Sequence, residues 1–275
     1  MAQCLIPFVV TKKLSNEKVP VPCGKCPECM KRRISGWSFR LMQQERISNT
    51  AHFITLTYDT NHIHITANGF MGLNRRDVQL FFKRLRKAHT KGTSNIKYYV
   101  CGEYGGKTNR PHYHAIIFNV KLELIQPAWQ LGQVHYGTVS GASVGYTLKY
   151  MSKPSRIPMH RNDDRQREFS LMSKGLGSNY LTKAMITWHH KSLHDRMYCT
   201  TDDGKKISMP RYYKQKIYHE TQRKAIAFTT QQRQAAIDKE KIRHGKVPTE
   251  KQRVESHKQA FKNMYANSEK GRNKI

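Results

Sequence analysis

Residues 96–102 (IKYYVCG) and 112–120 (HYHAIIFNV) are two β-branched and aromatic runs flanking the turn-forming stretch 105–110 (GGKTNR). This pattern predicts a β-hairpin, and it constrains the chain more than any other feature. The second run carries His112 and His114, two positions apart. Residues i and i+2 of a strand share a face, so both imidazoles project from one side. Glu103 closes the first run, and a hairpin folded at 105–110 brings it alongside His112. Two imidazoles and a carboxylate with positions left open suit a divalent ion that must also accept a phosphate oxygen, so Mg²⁺ or Mn²⁺ is expected. Spacing alone would not justify this, because His62 and His64 form a second HxH among 14 histidines. That copy follows a turn and lacks a hairpin-placed carboxylate. The adjacent His189 and His190 are expected to be structural or phosphate-facing.

Around the hairpin the periodicity predicts further elements. Residues 53–58 (FITLTY) read as a strand. Asn74 can cap a helix to about His89, with Val78, Phe81, Phe82 and Leu85 as its apolar stripe and Lys83, Arg84, Arg86 and Lys87 opposite. A short helix over 122–130, a strand over 134–139 and a helix over 143–152 ended by Pro154 follow. An earlier helix spans 33–47, and residues before it read as loop. The order β-α-β-β-α-β-α predicts an α+β fold, an antiparallel sheet with flanking helices on the ferredoxin-like plan. The expected organisation is a Cys-rich segment and helix over 1–48, a core over 49–155, an extension over 156–218 and a basic tail over 219–275, helical or mobile. The stretch 214–275 carries 16 Lys/Arg against 6 Asp/Glu.

The helix over 143–152 places Tyr146 and Tyr150 on one face, and Lys149 and Lys153 repeat the spacing beside them. A phenol with a pKa of about 10 is a weak nucleophile, but lysine charge and a nearby cation favour the phenolate. By spacing alone an aromatic stripe packed on the core is the better reading. Downstream of a metal motif, in a chain with formal charge +30, the nucleophile reading takes precedence. That charge points to nucleic acid, through phosphate neutralisation and counterion release. The longest early apolar run, 5–10, is far short of the roughly 20 residues of a membrane span, and no secretory signal is visible. A reducing compartment is therefore expected, where clustered cysteines serve as metal ligands. Cys23, Cys26 and Cys29 are spaced x2, x2, and Cys4 can complete four thiolates around a structural zinc. An iron–sulfur cluster, although the x3-Cys-Pro continuation is missing, and free thiols remain the alternatives. Cys101 and Cys199 read as structural. The segment Gly106-Lys107-Thr108 is no phosphate loop, since the glycine needed five residues earlier is Cys101. No ATPase is expected, so duplex unwinding would need a separate helicase.

The segments FITLTY (53–58), PHYH (111–114) and GYTLKYMSK (145–153) resemble, in order, the three motifs of the HUH endonucleases of rolling-circle replication. A closer resemblance is to replication initiation proteins of small single-stranded DNA phages, the gokushovirus group of microviruses. It is carried by PCGKCPEC (22–29), GEYG (102–105), RPHYHAIIF (110–118), EFSLMSKGLGSNYL (168–181) and DGKKISMPRYYK (203–214). The resemblance implies origin-specific, metal-dependent nicking and joining of single-stranded DNA. Glu103, His112 and His114 would hold the ion, and Tyr146 and Tyr150 would form the 5′-phosphotyrosine. It also implies a host helicase and polymerase as partners, the host bacterial cytoplasm as location and no membrane. A plasmid initiator or single-strand transposase would share this chemistry. A basic, zinc-bearing single-strand binding or packaging protein would not.

Overall fold

A computed structural model describes residues 4–11, 16–89, 94–149 and 157–270. The elements are β1 (Phe8–Thr11), β2 (Lys18–Val21), α1 (Pro27–Glu45), β3 (Ala51–Thr57), α2 (Arg75–Ala88), β4 (Lys97–Tyr104) and β5 (Pro111–Phe118). Then come α3 (Ile125–Ala128), β6 (Val134–Thr138), α4 (Gly141–Lys149), β7 (Phe169–Met172), α5 (Lys183–His190), β8 (Tyr198–Thr200) and β9 (Lys206–Ser208). The helices α6 (Arg211–Ile217), α7 (Glu220–Arg243) and α8 (Glu250–Lys270) end the chain. The chain divides into two compact units, one of 1–37 with 179–266 and one of 38–178 with 267–275. No helix among the described residues is long and apolar enough to cross a membrane.

The second unit is built on a five-stranded sheet of order β6-β3-β5-β4-β7, antiparallel at every pairing. Strand alternation gives it two unlike faces. Ile54, Leu56, Val100, Tyr113, Ala115 and Ile117 form one and pack with Val78, Phe81, Phe82 and Leu85 of α2. Helix α2 starts where Asn74 accepts a hydrogen bond from the Arg76 amide at 2.9 Å, as its sequence predicts. Phe53, Thr55, Thr57, Cys101, Glu103, His112 and His114 occupy the opposite face, following the cross-strand register. The α+β plan with a Cys-rich N-terminus is therefore the observed one.

Three details differ from expectation. Helix α1 begins at Pro27 rather than near 33, because proline's fixed φ suits a first helical position, and so Cys29 lies in its first turn. The N-terminal segment, read as loop, holds the β1–β2 hairpin. All four β1 residues are exposed, so no burial alternation marks the strand. The sheet gains β7, whose four residues are all half-buried and show no period of two either. Of the two options for the basic tail, the helical one is observed in α7 and α8. The expected helix over 143–152 is α4 up to Lys149, and its last positions lie outside the described residues.

In the first unit, His189 is fully buried; its Nδ1 donates to the Arg196 carbonyl at 2.6 Å and its Nε2 faces the Tyr180 hydroxyl at 2.9 Å. Burial lowers its pKa and keeps the ring neutral. His190 donates to the Ile217 carbonyl at 2.8 Å, so both histidines are structural.

The core face of the sheet generates a stability prediction. Phe81→Ala, which empties a fully buried position, should destabilise the protein by about 3–5 kcal/mol in a denaturant titration. Lys83→Ala on the exposed side of α2 should change stability by less than about 0.5 kcal/mol.

Candidate metal centre

The β4–β5 ladder sets Glu103 directly opposite His112. His114 lies between Cys101 on β4 and Thr55 on β3. The ligand atoms of Glu103, His112 and His114 all fall within 4.8 Å of one another. Glu103 Oε1 is 3.0 Å from His112 Nε2 and 3.7 Å from His114 Nε2. Glu103 and His114 are only 5% and 4% exposed, so the cluster is recessed.

Neighbours orient both rings. His112 Nδ1 lies 3.2 Å from the Arg110 carbonyl, which can only accept, so Nδ1 carries the hydrogen. His112 Nε2 then presents its lone pair toward a carboxylate oxygen. Two acceptors in that position repel each other unless a cation lies between them, either a proton or a metal. The donor set, two borderline nitrogens and a hard oxygen, fits a divalent ion. His114 Nδ1 is 2.9 Å from Thr55 Oγ1, and the Phe53 ring stacks on its imidazole, centroids 6.0 Å apart and planes 13° from parallel. Arg110 also donates from its guanidinium to the Tyr58 carbonyl at 2.6 Å, tying the hairpin turn to the end of β3.

Three tyrosines near the motifs are turned away from this face. The Tyr58 hydroxyl donates to Asp77 at 2.7 Å and meets the Tyr113 hydroxyl at 2.9 Å. Tyr113 in turn donates to the Asn74 carbonyl and accepts from the Asn74 amide. Tyr104 accepts from the Leu73 amide and donates to the Gln166 carbonyl. Burial pushes all three phenols up, Tyr104 to about 12, so none forms a phenolate readily.

Helix α4 covers part of the metal face. Cys101 Sγ contacts both the His114 carbonyl and the Thr147 carbonyl of α4, each at 3.6 Å. Val144, Thr147 and Leu148 form the buried side of that helix. Tyr146 and Lys149 belong to α4, but their side chains, and Tyr150 and Lys153 altogether, lie outside the described residues. Toward the other edge the face stays accessible. His135 of β6 stands opposite Thr55 and is exposed, and Gly137 stands opposite Phe53. A Cβ at Gly137 would come 2.9 Å from Phe53 Cδ1, so glycine leaves room for the ring that lies against His114. The supporting roles of Thr55, Phe53, Gly137 and the Arg110 carbonyl had no signal in the sequence beyond the face on which alternation places them. His62 and His64 join no ligand group among the described residues.

In the other unit, the Sγ atoms of Cys4, Cys23, Cys26 and Cys29 also lie within 4.8 Å of one another. The Cys23 amide donates to Cys4 Sγ at 3.2 Å, and the Lys25 and Cys26 amides donate to Cys23 Sγ at 3.4 and 3.2 Å. Burial opposes ionisation of Cys26, but hydrogen bonds from the Leu5 and Cys29 backbone and the neighbouring thiols outweigh it and bring Cys26 to about 6. Burial pushes Cys29 up to about 12. Cys101 and Cys199 are buried apart from this group.

The family described as replication-associated protein ORF2 matches residues 51–155. The replication-associated protein VP4 of Bdellovibrio phage phiMH2K is 27% identical over 228 residues, 74% of this chain and 70% of that protein. The replication-associated protein ORF2 of Spiroplasma virus 4 is 29% identical over 74% of this chain and 69% of its own length. The replication-associated protein ORF4 of Chlamydia phage 1 is 24% identical over 71% and 53%. No solved structure matches.

The contact between Thr55 and His114 can be tested directly. Thr55→Val keeps the shape but removes the hydroxyl that holds His114 Nδ1. It should weaken Mn²⁺ binding by about 10- to 100-fold in calorimetric titration without unfolding the sheet.

Proposed function

As a microvirus-type replication initiator, the class supported by the family match and the phage relatives, this chain acts in phage DNA replication, and we propose that it nicks and rejoins the origin strand by tyrosine transesterification. The observation that carries the reading is the convergence of Glu103, His112 and His114 on the side of the sheet that α4, the helix of Tyr146, covers. Those three residues would hold Mg²⁺ or Mn²⁺, which supplies positive charge to the scissile phosphate and the departing oxygen.

The chain's own residues perform the rest. A phenol of Tyr146 or Tyr150 gives up its proton and attacks phosphorus through its oxygen. The bond from phosphorus to the 3′ oxygen breaks, and that oxygen leaves with the electron pair and takes up a proton. Lys149 and Lys153 favour the phenolate. One phosphodiester replaces another, so the step is close to balanced and its reversal can close a circle without nucleotide hydrolysis. This agrees with the absence of a phosphate-loop motif from the sequence. A second tyrosine allows a second transfer while the first still carries DNA.

The buried ligands favour a single strand, because a duplex cannot bring its backbone into a recess with its bases stacked. Phe53 offers a half-buried ring for base stacking, and His135 lies on the accessible side of the same face. The charge of +30 adds affinity without sequence preference. In this reading 49–155 is the nuclease core, acting in the host bacterial cytoplasm with a host helicase and polymerase.

The test uses labelled single strands tiled across the cognate genome, incubated with the protein and Mn²⁺ and resolved on a denaturing gel. A 3′-labelled strand should yield a covalent protein–DNA band and a 5′-labelled one a shorter fragment ending in a 3′ hydroxyl. His112→Ala and the double change Tyr146→Phe with Tyr150→Phe should each abolish the band. Binding without any covalent band would instead mark a single-strand binding protein, and a band surviving the double change would overturn the assigned nucleophiles. Separately, Phe53→Ala should weaken binding of a non-cleavable strand by about 1–3 kcal/mol.

A further inference from the structure

The four cysteines of the first unit take no part in the nicking reaction, and their arrangement has its own logic. We propose that Cys4, Cys23, Cys26 and Cys29 bind one zinc ion as thiolates, and that this ion clasps the base of the β1–β2 hairpin.

Geometry favours a single ion. Cys4 Sγ and Cys26 Sγ are 3.8 Å apart. That is nearly twice the disulfide bond of about 2.05 Å. It equals the edge of a tetrahedron whose sulfurs lie about 2.3 Å from a central zinc, which works out to about 3.8 Å. With all four sulfurs within 4.8 Å, the centre has room for one ion rather than a cage of several irons, so the iron–sulfur cluster left open by the spacing is set aside. The backbone is arranged for sulfur as well. Gly24 has a φ of +72°, a left-handed conformation that turns the Lys25 and Cys26 amides back onto Cys23 Sγ.

The hairpin itself supplies the second argument. Cys4 precedes β1 and Cys23 follows β2, 19 positions later, with the Cys23 amide bonded to Cys4 Sγ. Between them the strands pair Phe8 with Val21 through to Thr11 with Lys18. Phe8, Val9 and Val10 are 54%, 64% and 49% exposed, so the hairpin has no core of its own. A two-stranded ribbon without a packed face is marginal in water. What closes it is the meeting of Cys4 and Cys23 at its base. Cys29, in the first turn of α1, would anchor the same ion to that helix.

The experiment uses the reduced full-length chain. Elemental analysis should find one zinc per chain, and exchange into Co²⁺ should give thiolate-to-metal charge-transfer absorption with tetrahedral visible bands. Cys23→Ser and Cys29→Ser should each lose the zinc. The double change His112→Ala with His114→Ala should keep it, which separates this site from the nuclease reading. Chelation of the intact protein should speed tryptic cleavage after Lys18 by on the order of tenfold, with protection restored by added zinc. Folded, reduced protein that takes up neither zinc nor cobalt would overturn the proposal. So would iron at one atom per chain, full zinc retention in Cys23→Ser, or an unchanged cleavage rate after chelation.

Discussion

The register between β4 and β5 is the constraint on which everything else depends. Because side chains alternate with a period of two, a slip by one residue would exchange the two faces of the sheet. His112, His114 and Glu103 would then turn toward α2, and Tyr113 and Val100 would face outward. The buried side prevents this. Tyr113 is fully buried, and its hydroxyl is tied to Asn74 and Tyr58 at the start of α2 and the end of β3. The hydrophobic core therefore does more than stabilise the unit: it holds the ligands in alignment on the opposite face.

The same alternation sorts the tyrosines. Tyr58, Tyr104 and Tyr113 share the core side, with hydroxyls committed to hydrogen bonds and ionisation opposed by burial. Tyr146 comes from a helix laid on the ligand side through the contact of Thr147 with Cys101. A fold that keeps its structural phenols neutral and behind the sheet reduces competition for the reacting phosphate. Phe53, pressed between Gly137 and His114, links the ligand cluster to the accessible edge at β6.

The two ligand groups are chemically unlike, as their proposed roles require. Glu103 with two imidazoles is a hard, incomplete set that leaves room for substrate oxygen. Four thiolates make a soft, closed set with no open position, suited to holding structure. Each belongs to a different compact unit.

Local pattern alone determined much of this. The hairpin with His112, His114 and Glu103, the apolar stripe of α2 and its Asn74 cap were all legible, because periods of two and 3.6 are written directly into the order of residues. The x2, x2 cysteine run was equally plain. Tertiary structure decided what no period encodes: that Thr55 and Phe53 hold His114, that Gly137 must lack a side chain, that β7 completes the sheet, and that Cys4 meets Cys23 beneath an exposed hairpin. Those facts are distances between residues far apart in the chain. They arise only once strand register and loop closure are set, and the whole buried core chooses both.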